Sequence, residues 1–315
     1  MQTPVTLTHW IGFNFIIFSL LGIDLYRFFR FPHPIKIKEA LLTSAVWISF
    51  ALIFNIWIYF TFGPQPALNF FTGYLLEETL SIDNLFIFLL LFSHFKVPET
   101  SKHQVLFYGI LGAIVMRALM IWGGIVLIHY FEWIFILLGV FLVITGIRLA
   151  FNTEKGEKGK ENLIYSWLKK WLPLTNTYQG NAFIVQMNGR WMATPLLVVL
   201  ILIEITDLIF ALDSVPAILG ITTEPFIVYT SNIFAILGLR SLFFALEGFM
   251  KTFYFLHYAL AFILVFIGCK MILAQYVELP TWIALLVLVT SITLAGVCFF
   301  LKSHRKKGQN RDEGL

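Results

Sequence analysis

The chain has 315 residues, of which 59% are hydrophobic and 17% aromatic but only 13% charged, and its mean hydropathy is +0.83. Globular domains carry about a quarter charged residues, so a soluble enzyme is excluded and the apolar surplus has to face lipid. The net charge of +4 and a pI near 9.0 do not point to nucleic acid, because the basic residues occupy connections between apolar blocks, where membrane topology places them.

In chain order the sequence predicts nine transmembrane helices, at about 9–29, 38–62, 68–93, 104–129, 132–151, 195–219, 225–247, 253–274 and 281–301. Each is near the ~20 residues that cross a hydrocarbon core. Residues 1–8 hold no Lys or Arg, unlike the charged start of a cleavable signal, so the first block reads as a retained helix. The blocks are apolar on every side, which excludes the alternating strands of a β-barrel.

Of the 22 Lys and Arg, Arg117, Arg240 and Lys270 fall inside spans, and every other one lies at a span end or in a connection on the same side of the membrane if the N-terminus is outside. The alternate loops 63–67, 130–131, 222–225 and 278–280 hold none. By the positive-inside rule this gives an N-out/C-in orientation. The one long loop, 152–194, is then cytoplasmic: a charge cluster at 154–161, a short amphipathic helix at 163–171, and a β-hairpin over 182–192 turned at Asn188-Gly189. A single transporter domain is expected over residues 1–315. Cys269 and Cys298 stand in different apolar blocks without CxxC spacing, which signals neither a disulfide framework nor a thiolate metal site.

The chain repeats itself. Glu77-x5-Asp83-Asn84 in span 3 recurs as Asp207-x5-Asp213-Ser214 in span 6, Arg117 in span 4 corresponds to Arg240 in span 7, and the segment ending Gly146-Ile-Arg148 in span 5 matches the one ending Gly268-Cys-Lys270 in span 8. Three spans is an odd number, so a second copy enters the membrane from the opposite side. The prediction is an all-α polytopic membrane protein with an inverted repeat, 68–151 and 195–274, flanked by spans 9–29, 38–62 and 281–301. Secondary transporters are commonly built this way, with their sites near the midplane where the copies meet.

Acidic groups in the membrane are costly, ~2.5–3.5 kcal/mol for an Asp at a helix centre on translocon scales. This chain places Asp24 in span 1, Glu77, Glu78 and Asp83 in span 3, and Glu204, Asp207 and Asp213 in span 6. With two arginines to offset them, a polar, cation-accepting cavity is the expected arrangement. Six residues turn ~600° on a helix, which sets Asp83 about 120° from Glu77 and Asp213 about 120° from Asp207. A helix break at Pro216 is expected to bring the carboxylates together. Carboxylates with Asn84 and Ser214 make an all-oxygen ligand set suited to hard divalent cations such as Mn²⁺ and Mg²⁺. Arg117 and Arg240 are read either as ion-pair partners or as counter-charges for an ion-free site. Asn55 and Asn232 line the cavity or bond between helices. Glu78, rotated ~100° from Glu77, reads as a bystander.

The segments Gly73-Tyr-Leu-Leu-Glu77-Glu78-Thr-Leu-Ser-Ile-Asp83-Asn84 and Glu204-Ile-Thr-Asp207-Leu-Ile-Phe-Ala-Leu-Asp213-Ser214-Val-Pro216 resemble the TerC family of bacterial integral membrane proteins, most closely its Alx branch. The resemblance also takes in Asp24, Asn55, the Asn188-Gly189 hairpin and the run from Asn232 to Arg240. It implies export of manganese across the inner membrane, with older labels of tellurium resistance and redox modulation. It also implies that Glu77, Asp83, Glu204, Asp207 and Asp213 stand at the family's acidic positions.

The resulting expectation is a secondary transporter, not an enzyme, that moves Mn²⁺ outward through Glu77, Asp83, Asn84, Glu204, Asp207, Asp213 and Ser214, with Asp24, Asn55, Arg117, Asn232 and Arg240 in support. No permanent cofactor is expected, other divalent cations are possible substrates, and no nucleic acid partner is foreseen. No GxxxxGK[ST] occurs to power an ATP-driven pump. Outward movement against an inside-negative potential costs ~2.3 kcal/mol per charge per 100 mV, so a driving ion is needed, with H⁺ the expected one. The alternative is a membrane-bound redox modulator or a stress-resistance component.

Overall fold

The computed structural model describes residues 4–30, 37–131, 133–151, 173–175, 177–187, 189–247, 254–274 and 279–312. Among them are nine helices and one hairpin: α1 Leu7–Arg30, α2 Ile37–Phe62, α3 Pro64–His94, α4 Glu99–Tyr130, α5 Trp133–Phe151, β1 Ile184–Met187, β2 Arg190–Ala193, α6 Pro195–Leu219, α7 Pro225–Glu247, α8 Tyr254–Leu273 and α9 Thr281–Asp312. Five of these, α2, α4, α5, α6 and α7, are long and apolar enough to cross a membrane. Within the residues whose side chains are described, α1, α8 and α9 carry the apolar stretches Leu7–Ile23, Tyr258–Leu273 and Thr281–Val297. Helix α3 is 31 residues long and carries Glu77, Glu78 and Asp83.

Proline opens α3, α6 and α7, where its fixed φ suits the first turn and its missing N–H would have had no partner. Between α2 and α3 the only linking residue is Gly63, at φ +100° and ψ 179°, a backbone state that side chains exclude. Polar residues inside the helices largely satisfy themselves. Thr72, Thr79, Thr206, Thr230 and Ser231 each donate to a carbonyl four residues earlier, the usual way for a hydroxyl to sit in an apolar segment.

The helices pack in a crossed pattern. α3 lies on α7, α4 on α6 and α5 on α8, while α3 also meets α6 and α4 meets α7. α2 covers α3 and α7, and α9 covers α8 and α3. Backbone meets backbone between α5 and α8, where Gly139 faces Gly268, and Gly146 faces Ala261 and Val265. Such small residues let helices approach closely in a bilayer.

At one end of the bundle the segment before α6 is tied to its neighbours. Tyr178 donates to the Phe95 carbonyl at 2.7 Å, Ser101 at the start of α4 bonds Asn181 at 2.7 Å, and Thr194 donates to the Ala182 carbonyl at 2.7 Å. The Tyr108 and Phe183 rings meet edge to face at 5.3 Å. The hairpin forms where it is predicted, starting two residues later and ending one later, and pairs Ile184 with Ala193 through Met187 with Arg190. Gly189 has the positive φ, 74°, that the turn requires. The charge cluster 154–161 and the amphipathic helix 163–171 lie outside the described residues.

One expectation is corrected. Pro216 does not break its helix: α6 runs unbroken from Pro195 to Leu219. The proline sits in the last turn and withdraws a single N–H from the ladder there, too little to divide the helix. Asp207 and Asp213 therefore keep the separation that helical geometry gives them.

Candidate functional site

The largest fully buried side chain of the described residues is Arg117 of α4, and the acidic segments meet on it. Its Nη1 donates to Glu77 Oε1 of α3, to Ser214 Oγ of α6 at 3.0 Å and to Asn232 Oδ1 of α7 at 3.2 Å. Its Nη2 and Nε reach the two oxygens of Asp207 on α6, at 3.3 and 3.4 Å. Asn232 Nδ2 donates to the second Glu77 oxygen at 3.0 Å. Four helices thus converge on one guanidinium, and all five residues are buried. The planar fork of an arginine suits such a meeting, because its five N–H groups can hold two carboxylates at once.

Beside this cluster lies a cavity of about 50 Å³ lined by Asn84, Ser214, Asp213, Thr145 and the apolar Leu80, Leu149, Phe210 and Leu264. One water needs ~10–15 Å³ measured this way, so the cavity has room for a small cation or a few waters. Thr145 of α5 and Asp213 of α6 face this cavity together. Asn84 Oδ1 is buried without a hydrogen-bond partner among the described residues, a costly condition for an amide oxygen that a ligand in the cavity would relieve. On its other side Asp207 borders a second cavity, of about 20 Å³, walled by apolar residues including Leu106, Gly109, Ala113 and Ile203.

The sequence-predicted residues therefore divide. Glu77, Asp207, Ser214, Arg117 and Asn232 come together in the cluster, and Asp213 and Asn84 line the adjoining cavity. Glu204 turns towards α4, where its carboxyl fills the space a side chain at Gly112 would take, and its Oε2 has no hydrogen-bond partner among the described residues. Glu78 lies against Gly238 of α7. Asn55 Oδ1 makes no hydrogen bond among the described residues, and Arg240 is buried within α7. The side chains of Asp24 and Asp83 lie outside the described residues. Among those that are described, no three His, Cys, Asp or Glu side chains stand close enough to hold a metal ion. The oxygens offered by the cavity are instead one carboxylate, one amide and two hydroxyls.

Two members of the site escaped the sequence reading. Thr145 has a signal in retrospect, as the polar residue within the apolar run of α5 that the repeat alignment had already singled out. Gly112 has none, since nothing in its own segment says that an acid from α6 will lie across it.

The description that matches this chain, over residues 62–310, is the integral membrane protein TerC family. The chain belongs to the TerC family. A relative from Salmonella typhi named "Putative membrane-bound redox modulator Alx" is 43% identical, over 97% of this chain and 98% of its own. The protein of that name from Escherichia coli K12 is 44% identical over 90% of this chain and 92% of its own. A Myxococcus xanthus protein named "Uncharacterized membrane protein STKORF319" is 42% identical over 96% and 95%. No solved structure matches. The TerC chain described here is accordingly an integral membrane protein, and its acidic segments both fall inside the region matched to the family.

Proposed function

We propose that this TerC protein is a secondary transporter of the bacterial inner membrane that exports Mn²⁺ from the cytoplasm. Nine spans run N-out/C-in, and α3–α5 and α6–α8 form an inverted repeat. The packing supports the repeat. Exchanging the two units turns the α3–α7 contact into α6–α4 and returns α5–α8 to itself. With Gly146 matched to Gly268, the contact of Gly139 with Gly268 becomes that of Ala261 with Gly146, which is the second close approach present.

The observation that carries the reading is the buried meeting of Glu77 and Asp207, one from each unit, on Arg117, beside a cavity that Asp213, Asn84, Ser214 and Thr145 line together with apolar side chains. Carboxylate, amide and hydroxyl oxygens suit a hard divalent ion, and the site offers no thiolate or imidazole to select a softer one. Asp213, Asn84, Ser214 and Thr145 would receive the ion, Glu77 and Asp207 would complete its passage, and Asp83 and Glu204 would serve as further ligand and proton carrier. The driving ion is H⁺, exchanged through the same carboxyl groups. Export by reconstituted protein that ignores a collapsed pH gradient removes that coupling.

The test is cellular manganese in a manganese-sensitive host without an exporter, comparing the intact protein with equally expressed Asp83→Asn and Asp213→Asn variants. Lower manganese with the intact protein, lost in both variants, is expected. The redox reading is favoured by the name of the Alx relatives and by the exposed free thiol of Cys269. It predicts that replacing Cys269 and Cys298 together by Ala abolishes activity, whereas the transport reading predicts unchanged export.

A further inference from the structure

We propose that Arg117 is an internal substitute for the transported cation. When the substrate leaves, its guanidinium takes over Glu77 and Asp207 while the other acids of the site carry the counter-transported protons, so that the manganese-free carrier can change its facing without uncompensated charge at the midplane. The proposal rests on the transport reading above and concerns how that site is reset.

Three observations carry it. First, all the acceptors of Arg117, two carboxyl groups, a hydroxyl and an amide oxygen, are of the kind a hard divalent cation takes as ligands. The guanidinium and the substrate therefore compete for one set of atoms. Second, the competition has a point of contact. Ser214 accepts from Arg117 Nη1 and also lines the Asp213 cavity, so a cation entering that cavity stands beside the guanidinium. Like charges repel strongly where water is excluded, which loosens the arginine's hold on its acids as the ion arrives.

Third, a small void lies beside Asp207 on the turns of α4 below Arg117. Gly109, Ala113 and Arg117 follow one another at helical i, i+4 spacing on α4, and long helical side chains lean toward the N-terminal turn below their own. Gly109 and Ala113 line the second cavity, which Asp207 also borders. At about 20 Å³, the room of roughly one water, that void lets the guanidinium slacken from Asp207 rather than leave the cluster.

An arginine with a purely structural role would hold the helices together in every state, and its loss would depress all transport alike. A substitute cation is needed only for the return of the manganese-free carrier. Exchange of one substrate ion for another never passes through that state.

The deciding experiment uses the full-length protein in liposomes loaded with ⁵⁴Mn²⁺, with the membrane potential clamped. Release is measured into manganese-free buffer and into buffer with unlabelled Mn²⁺. Intact protein is expected to release label in both. Arg117→Gln is expected to lose release into manganese-free buffer at least 10-fold while keeping exchange within about 3-fold. Arg117→Lys, which keeps the charge but cannot grip two carboxylates with a planar fork, shows the same split in smaller measure and serves if the glutamine variant does not assemble. A parallel fall of both modes, or net release equal to that of the intact protein, overturns the proposal. Failure of the intact protein to release label in either mode overturns the transport reading and this proposal with it.

Discussion

A methyl group at Gly139 would stand 2.8 Å from the carbonyl oxygen of Gly268, and one at Gly268 would stand 2.5 Å from the carbonyl oxygen of Gly139. The obstacle is main chain and cannot rotate away, so each substitution forces α5 and α8 apart. Gly139→Ala and Gly268→Ala are each expected to destabilise by about 1–3 kcal/mol, read as a lowered thermal unfolding midpoint in detergent. Gly123→Ala, with nothing within 4 Å of its added carbon, is the control and leaves the midpoint unchanged or raised.

Gly112 behaves differently because its obstacle is the tip of a side chain. Its added carbon would overlap the Glu204 carboxyl group, which can swing aside while the helices stay in place. Gly112→Ala is therefore expected to change stability by less than about 1 kcal/mol yet reduce export several-fold, measured as manganese efflux against unfolding midpoint. An unfolding midpoint that drops as far as that of Gly268→Ala contradicts this.

Among the described residues, Asn232 is the one neutral side chain hydrogen-bonded to both Arg117 and Glu77. In Asn232→Ala one Glu77 oxygen loses its amide donor and the guanidinium loses an acceptor, an expected loss of about 1–3 kcal/mol. Thr230→Val, whose hydroxyl bonds only its own helix, should cost far less. Chemical or thermal unfolding of the two variants side by side checks the difference.

Thr145 contributes a hydroxyl to the cavity that Asp213 lines. Thr145→Val keeps the shape and removes that oxygen from the cavity, and is expected to raise the manganese concentration for half-maximal export several-fold, while Thr145→Ser restores it. Equal transport by the valine variant removes Thr145 from the site.

The helices and the pairing of Glu77 with Asp207 were legible because both follow from properties local to the chain, long apolar runs and the recurrence of one acidic spacing. Asn232 and Arg117 were legible as polar groups too costly to leave unpaired in lipid. The fate of Pro216 was not, because a proline's effect depends on how many turns follow it, and here α6 ends three residues later. Nor was the divergence of Asp207 from Asp213. Helical angle says that two residues point apart, but the neighbour on each side, Arg117 of α4 for one and Thr145 of α5 for the other, is settled only by tertiary packing. Glu204 against Gly112 is a case of the same kind.

The ties around the hairpin have a mechanical consequence. Tyr178 holds the end of α3, Asn181 the start of α4, and Thr194 leads directly into α6 while bonding back to Ala182. Three helix ends are thereby knotted into one plate at that end of the bundle. Under the transport proposed above, a passage opening at that end would have to leave these three helix ends together, and the plate would be the fixed jamb beside which it forms.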